Sequence, residues 1–187
     1  MKVTKLLGYQ VLDSRGRPTV AASITLEDGT THTARVPSGA STGKHEALEL
    51  RDGDQLAHNN FYGALSVTKA VENVNTRIAP LIVGQQVDLK FIDGEIRTID
   101  TTSNFSSLGA NATLAVSLAA AKASAHAHNV SLARYFQPQG NLLIPMPMVN
   151  ILSGGAHANR SLDFQDVLIV PRGASTFTEA LSWIVAI

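Results

Sequence analysis

Apolar positions in the first third of the chain come in short runs with the period of a strand. Val3 to Leu6, Pro18 to Leu26 and Thr31 to Val36 each read as extended segments rich in Val, Ile and Thr. Glu27-Asp28-Gly29, between the last two runs, has the composition of a hairpin turn. The expected unit is a three-stranded antiparallel meander. Past position 60 the period changes, and Ala64, Leu65, Val67, Ala70, Val71, Val74 and Ile78 predict one amphipathic helix over 60–78. A shorter helix is expected over 88–100, capped by Asp88, with Phe91, Ile92, Ile96 and Ile99 at helical intervals. The longest candidate spans 111–128 and is crowded with alanine, which favours helix and lets neighbouring elements approach closely. Between strands and helices, Glu46 to Arg51 reads as a short helical or turn segment.

Arg134 to Asn141 has linker composition, and a new apolar run opens at Leu142. Pro145 and Pro147 argue against a helix there. The pattern predicts an entry strand from Leu142 to Leu152, a Gly-rich turn over 153–159, a returning strand from Phe164 to Val170 and a helix opening at Thr176. The expected domains are 1–136, a linker over 137–142, and 143–187.

Composition narrows the function classes. The 187 residues carry no net charge, with a pI near 7.0, so a basic nucleic-acid footprint is not expected. There is no cysteine, which removes disulfides and thiolate metal sites and fits a reducing, cytoplasmic location. No apolar run reaches the roughly 20 residues of a membrane helix, and none near Met1 suits a signal peptide.

Chemistry concentrates after Val36. Pro37 to Gly43 contains only Pro, Gly, Ala, Ser and Thr, with hydroxyls at Ser38, Ser41 and Thr42 and glycines that let the backbone approach a phosphate or a hydrated cation. A run of this kind is by composition a flexible loop. Its sequence adds more, because Ser38-Gly39-Ala40-Ser41-Thr42-Gly43, followed by Glu46-Ala47-Leu48-Glu49-Leu50-Arg51-Asp52-Gly53-Asp54, resembles the first catalytic loop of the enolase (phosphopyruvate hydratase) family. Leu12 to Val20, Leu108 to Ala119 and Pro145 to Asp166 carry further family-like segments, so the resemblance covers nearly the whole chain.

The resemblance implies an α+β N-terminal domain, a three-stranded antiparallel meander plus helices, followed by the first strands and helix of an incomplete enolase-type (β/α)8 barrel. Such a barrel takes about 250 residues, so the sequence is expected to be truncated or partial. The family's principal metal carboxylates, lysine base, acid glutamate and phosphate-binding arginine are expected further downstream, and the chain alone is expected to be inactive. The implied activity is a magnesium-dependent (Mg2+) hydro-lyase reaction of glycolysis, the reversible conversion of 2-phosphoglycerate to phosphoenolpyruvate, in a homodimeric parent with neither nucleic acid nor membrane as partner.

Residue by residue, the resemblance implies Ser41 as a ligand of the second magnesium ion and Gly39 and Ala40 beside substrate. It makes His157 and Asp166 catalytic and also substrate-binding, with Gln165 a further substrate contact. His126 and His128, two apart on a helix, make a poor metal pair. Asp13 and Arg15 are expected to hold domains or subunits together. Several positions depart from the family pattern. Asp166 stands for glutamate, Ser153 for asparagine, Phe105 for lysine and Arg17 for asparagine, while Ala21 and Ala22 lie in a strand that often carries glutamates. A non-catalytic enolase-like binding protein is therefore the alternative reading. A superfamily relative acting on another carboxylate ranks below both, because the Ser-Gly-Ala-Ser-Thr-Gly loop is particular to enolase.

Overall fold

A computed structural model describes residues 1–39, 43–53, 61–155 and 163–187, which divide into two compact units, Met1–Pro138 and Gln139–Ile187.

In the first unit β1 (Val3–Leu12), β2 (Pro18–Leu26) and β3 (Thr31–Arg35) form an antiparallel sheet in that order. The register sets Gly8 opposite Ala22 and Ala22 opposite Ala34. The central strand is the most buried, because Val20, Ala22, Ile24 and Leu26 alternate onto the face covered by helices. Ala21 and Ala22 are fully buried, so a glutamate in either place would lose its water. The first strand runs six residues past its expected end at Leu6. Its outer edge is covered at Gly8, whose N–H donates to Asn75 Oδ1 at 2.8 Å and whose carbonyl accepts from Asn75 Nδ2 at 3.0 Å. A Cβ at Gly8 would stand 2.7 Å from that of Val74, so only glycine lets this helix come so near.

The single helix expected over 60–78 begins later, at Thr68, and runs on to Ile82. Phe61–Ala64 is a short 3₁₀ turn with left-handed backbone at Tyr62, Gly63 and Ala64. Helix α1 (Thr68–Asn73) begins only beyond it and continues through a π-helical turn, Val74–Ile78, into α2 (Ala79–Ile82). Its start is fixed from outside, since the buried Asp52 accepts the Thr68 and Lys69 N–H groups at 3.0 and 2.9 Å and the Thr68 hydroxyl at 2.6 Å. Helix α3 (Leu89–Ile99) starts at Asp88 as expected, with the carboxylate accepting the Phe91 N–H at 2.7 Å. Helix α4 (Ala110–Ala127) is buried along most of its length, against β2 and β3 on one side and α3 and α1 on others, which its alanines permit. Helix α5 (Leu132–Phe136), capped by Ser131, overlaps the stretch read as linker. Glu46 to Asp52 forms neither a helix nor a strand.

In the second unit β4 (Val149–Ser153) and β5 (Asp166–Ile169) pair antiparallel, and α6 (Phe177–Ala186) follows, capped by Thr176. Both strands are shorter than expected. Residues 142–148 make no ladder, because Pro145 and Pro147 have no N–H to give. Among the described residues no helix is long and apolar enough to cross a membrane.

Candidate functional site

The Ser/Gly loop leaves β3 through Val36, Pro37, Ser38 and Gly39; Ala40, Ser41 and Thr42 lie outside the described residues. Its stem is tied down by two arginines. Arg15 Nη2 donates to the Ser38 carbonyl at 2.6 Å and pairs with Asp13 at 3.1 Å. A cluster around Arg51 holds it from the other side. Arg51 Nη2 donates to Glu49 Oε1 at 2.6 Å and to Ser38 Oγ at 3.1 Å, while the Ser38 hydroxyl donates to Glu49 Oε2, also at 3.1 Å. Arg51 Nη1 reaches the carbonyls of Pro18, at 2.7 Å, and Leu65. One guanidinium thus links the start of β2, the loop stem, the 46–52 segment and the turn before α1, which its planar fork of donors suits. Asp13 and Arg15, expected between domains or subunits, here hold this stem within the first unit.

The segment beside the loop is fixed to the start of α4. The buried Asn111 accepts the Leu50 N–H on Oδ1 at 3.1 Å and donates from Nδ2 to the Leu50 carbonyl at 3.0 Å. Gly109, at φ +94°, makes this approach possible, because a Cβ there would lie 2.5 Å from that of Leu50. Gly39 is exposed and lines a cavity of about 260 Å³ with Pro37, Glu46, Glu49, Asn111 and Leu114.

In the second unit Asp166 opens β5 opposite Ser153. Its Oδ1 accepts from Asn150 Nδ2 at 2.6 Å and from the Ser153 hydroxyl at 3.4 Å, and Asn150 Nδ2 also donates to Ser153 Oγ at 2.7 Å. The other oxygen, Oδ2, has no hydrogen-bond partner among the described residues. Gln165 gives its carbonyl to the Gly154 N–H at 2.6 Å and its side chain is exposed beside Gly155, which turns the chain at φ +54°. Residues 156–162, with His157, lie outside the described residues. The structure brings Gln165 and Asp166 together on one strand end. The sequence reading missed Asn150 and the Ser38, Glu49 and Arg51 cluster. A lone amide inside the apolar run 148–152 was the available signal for Asn150.

Two carboxylates near the loop segment are strongly bound. Burial pushes the Asp52 carboxyl up, but the bonds from Lys69 and Thr68 outweigh it and hold the group below its ordinary range. Asp100, also buried, shows the same balance, with burial opposed by the Thr102 hydroxyl and by the Leu108, Thr102 and Ser107 N–H groups. Among the described residues no three His, Asp or Glu side chains converge where a cation could be held. At the position of the expected lysine, Phe105 adopts φ +54° and its ring lies 4.9 Å beneath the Arg97 guanidinium.

A meander-and-helix domain followed by an antiparallel hairpin and helix defines the class, an α+β domain leading into the opening of a barrel. The family model described as the enolase N-terminal domain matches residues 3–136, and that of the enolase C-terminal TIM barrel domain matches residues 141–187. The chain belongs to the enolase family.

Proposed function

We propose that the polypeptide to which this chain belongs catalyses the reversible loss of water from 2-phosphoglycerate to give phosphoenolpyruvate. The observation that carries this reading is the match to both enolase domains across residues 3–136 and 141–187, with the loop sequence of enolase itself between Ser38 and Gly43. Removing a proton beside a carboxylate builds an enediolate, which needs fixed cations and hydrogen-bond donors around it. Mg2+ would supply that charge when bound, with Ser41 as the loop's contribution to it.

The chain's own groups take subsidiary parts. Gly39 and Ala40 lie along the substrate when the loop closes, and the Arg15 and Arg51 bonds to Ser38 fix the stem about which closure occurs. Gln165 and His157 contact substrate. Asp166 takes part in the acid step, with Asn150 fixing its Oδ1. The parent is a cytoplasmic homodimer. The 187 residues alone are inactive, because the family's other metal carboxylates and its lysine base correspond to positions past Ile187.

The test is phosphoenolpyruvate formation, followed in the ultraviolet, by a polypeptide continued through the barrel. Magnesium-dependent turnover is expected. Binding of 2-phosphoglycerate without turnover would instead favour the second reading, a non-catalytic enolase-like binding protein, which the aspartate at 166 and the phenylalanine at 105 motivate.

A further inference from the structure

The tip of the β2–β3 hairpin is fastened to the last turns of α4 by ionisable groups that play no part in the site above. His126 Nε2 lies 2.8 Å from Asp28 Oδ2. The other oxygen of that carboxylate accepts the Thr30 hydroxyl at 2.6 Å and the Thr30 N–H at 2.9 Å. His32, at the start of β3, is half-buried, its ring centroid 4.8 Å from that of His126 and its Nε2 3.3 Å from the Thr30 hydroxyl. One turn back on α4, Lys122 Nζ donates to the Thr33 carbonyl at 2.7 Å. The groups facing His32 are thus Asp28 from the turn and His126 and Lys122 from α4. Asp28 is the one carboxylate facing these three basic side chains, and of the three it contacts His126.

We propose that this cluster is an acid-sensitive latch: with His32 neutral the hairpin tip stays on α4, and a proton on His32 adds a cation beside His126 and Lys122 that Asp28 alone does not balance, loosening the tip. Burial, and after it the charge on His126, hold the His32 imidazole below its ordinary value. The Thr30 hydroxyl and then His126 hold the Asp28 carboxyl far below the usual range, so it remains ionised throughout. The folded state therefore binds a proton at His32 less readily than the unfolded chain. The latch is at full strength above about pH 6.5 and is lost as the pH falls below that value toward the lowered folded one.

The experiment is hydrogen exchange on the 187-residue chain between about pH 7.5 and about pH 5.5, reading protection of amides 26–34 against those of α3. The expected result is a roughly three- to tenfold fall in that ratio on acidification, abolished in His32→Asn and smaller in His126→Gln, which keeps an amide for Asp28 and removes one cation. A level ratio in the unaltered protein overturns the latch, and so does an equal fall in His32→Asn. Should His32→Asn not fold, the imidazole resonances of the unaltered protein decide: His32 must titrate together with the loss of protection, and titration without it refutes the proposal.

Discussion

Asp166 has its Oδ1 fixed by Asn150 at 2.6 Å, but its side chain is one carbon–carbon bond, about 1.5 Å, shorter than the glutamate of the family pattern. A displacement of about 1 Å at a reacting group can cost on the order of a hundredfold in rate. Asp166→Glu in a polypeptide continued through the barrel is expected to raise turnover; steady-state kinetics showing no gain would remove the shorter reach as a limit on catalysis. Asn111 is structural. Truncating it to alanine strips the Leu50 N–H and carbonyl of their side-chain partner, and a loss of about 2–3 kcal/mol in urea-unfolding stability is expected. Phe105 shows how a departure from a family pattern finds its own environment, since Arg97 stacks on its ring where the pattern has a cation.

Among the elements, those specified by neighbouring residues were legible and those specified from a distance were not. Asp88 announced α3, and Asp28-Gly29 announced the β2–β3 turn, because a cap and a tight turn are settled within four residues. The helix expected over 60–78 begins only at Thr68 because its start is set by Asp52, sixteen residues earlier, and a periodic pattern does not register such a partner. The site divides the same way. Gln165 and Asp166 could be read from a motif, whereas Arg51, bonded to Pro18, Ser38 and Leu65, joins places that no local spacing connects. Asp52→Ala is expected to cost about 1–2 kcal/mol through loss of the cap of α1, with hydrogen exchange fastest at Thr68 and Lys69. The pH dependence has a definite sign. The Asp52 and Asp100 carboxyls sit below their ordinary values in the folded state, so the stability they give is full above about pH 3.9 and is lost as the pH falls through the lower folded values. In Asp100→Asn the urea midpoint should vary less with pH across that acid range than in the unaltered protein.

At the scale of the whole molecule the two units differ in how well they cover their apolar surface. The first has a continuous core from Val3 through Val20, Ile24, Val74, Ile92 and Val116. In the second, Leu143 is 85% exposed, Phe164 79% and Val185 86%. A surface of that kind favours association, and the open edges of a two-stranded ribbon add to it. We therefore expect residues 3–136 to fold on their own and residues 143–170 to be weakly protected or self-associated. Strong hydrogen-exchange protection across Leu143 to Val170 in a monomer would refute this. The most direct test of the account is phosphoenolpyruvate formation from 2-phosphoglycerate by the 187-residue chain itself, with and without Mg2+. No turnover is predicted under either condition, since the proposed function assigns the base and the principal metal carboxylates to positions not among these residues. Magnesium-dependent turnover would contradict the account, because it would mean that these residues complete an active centre by themselves.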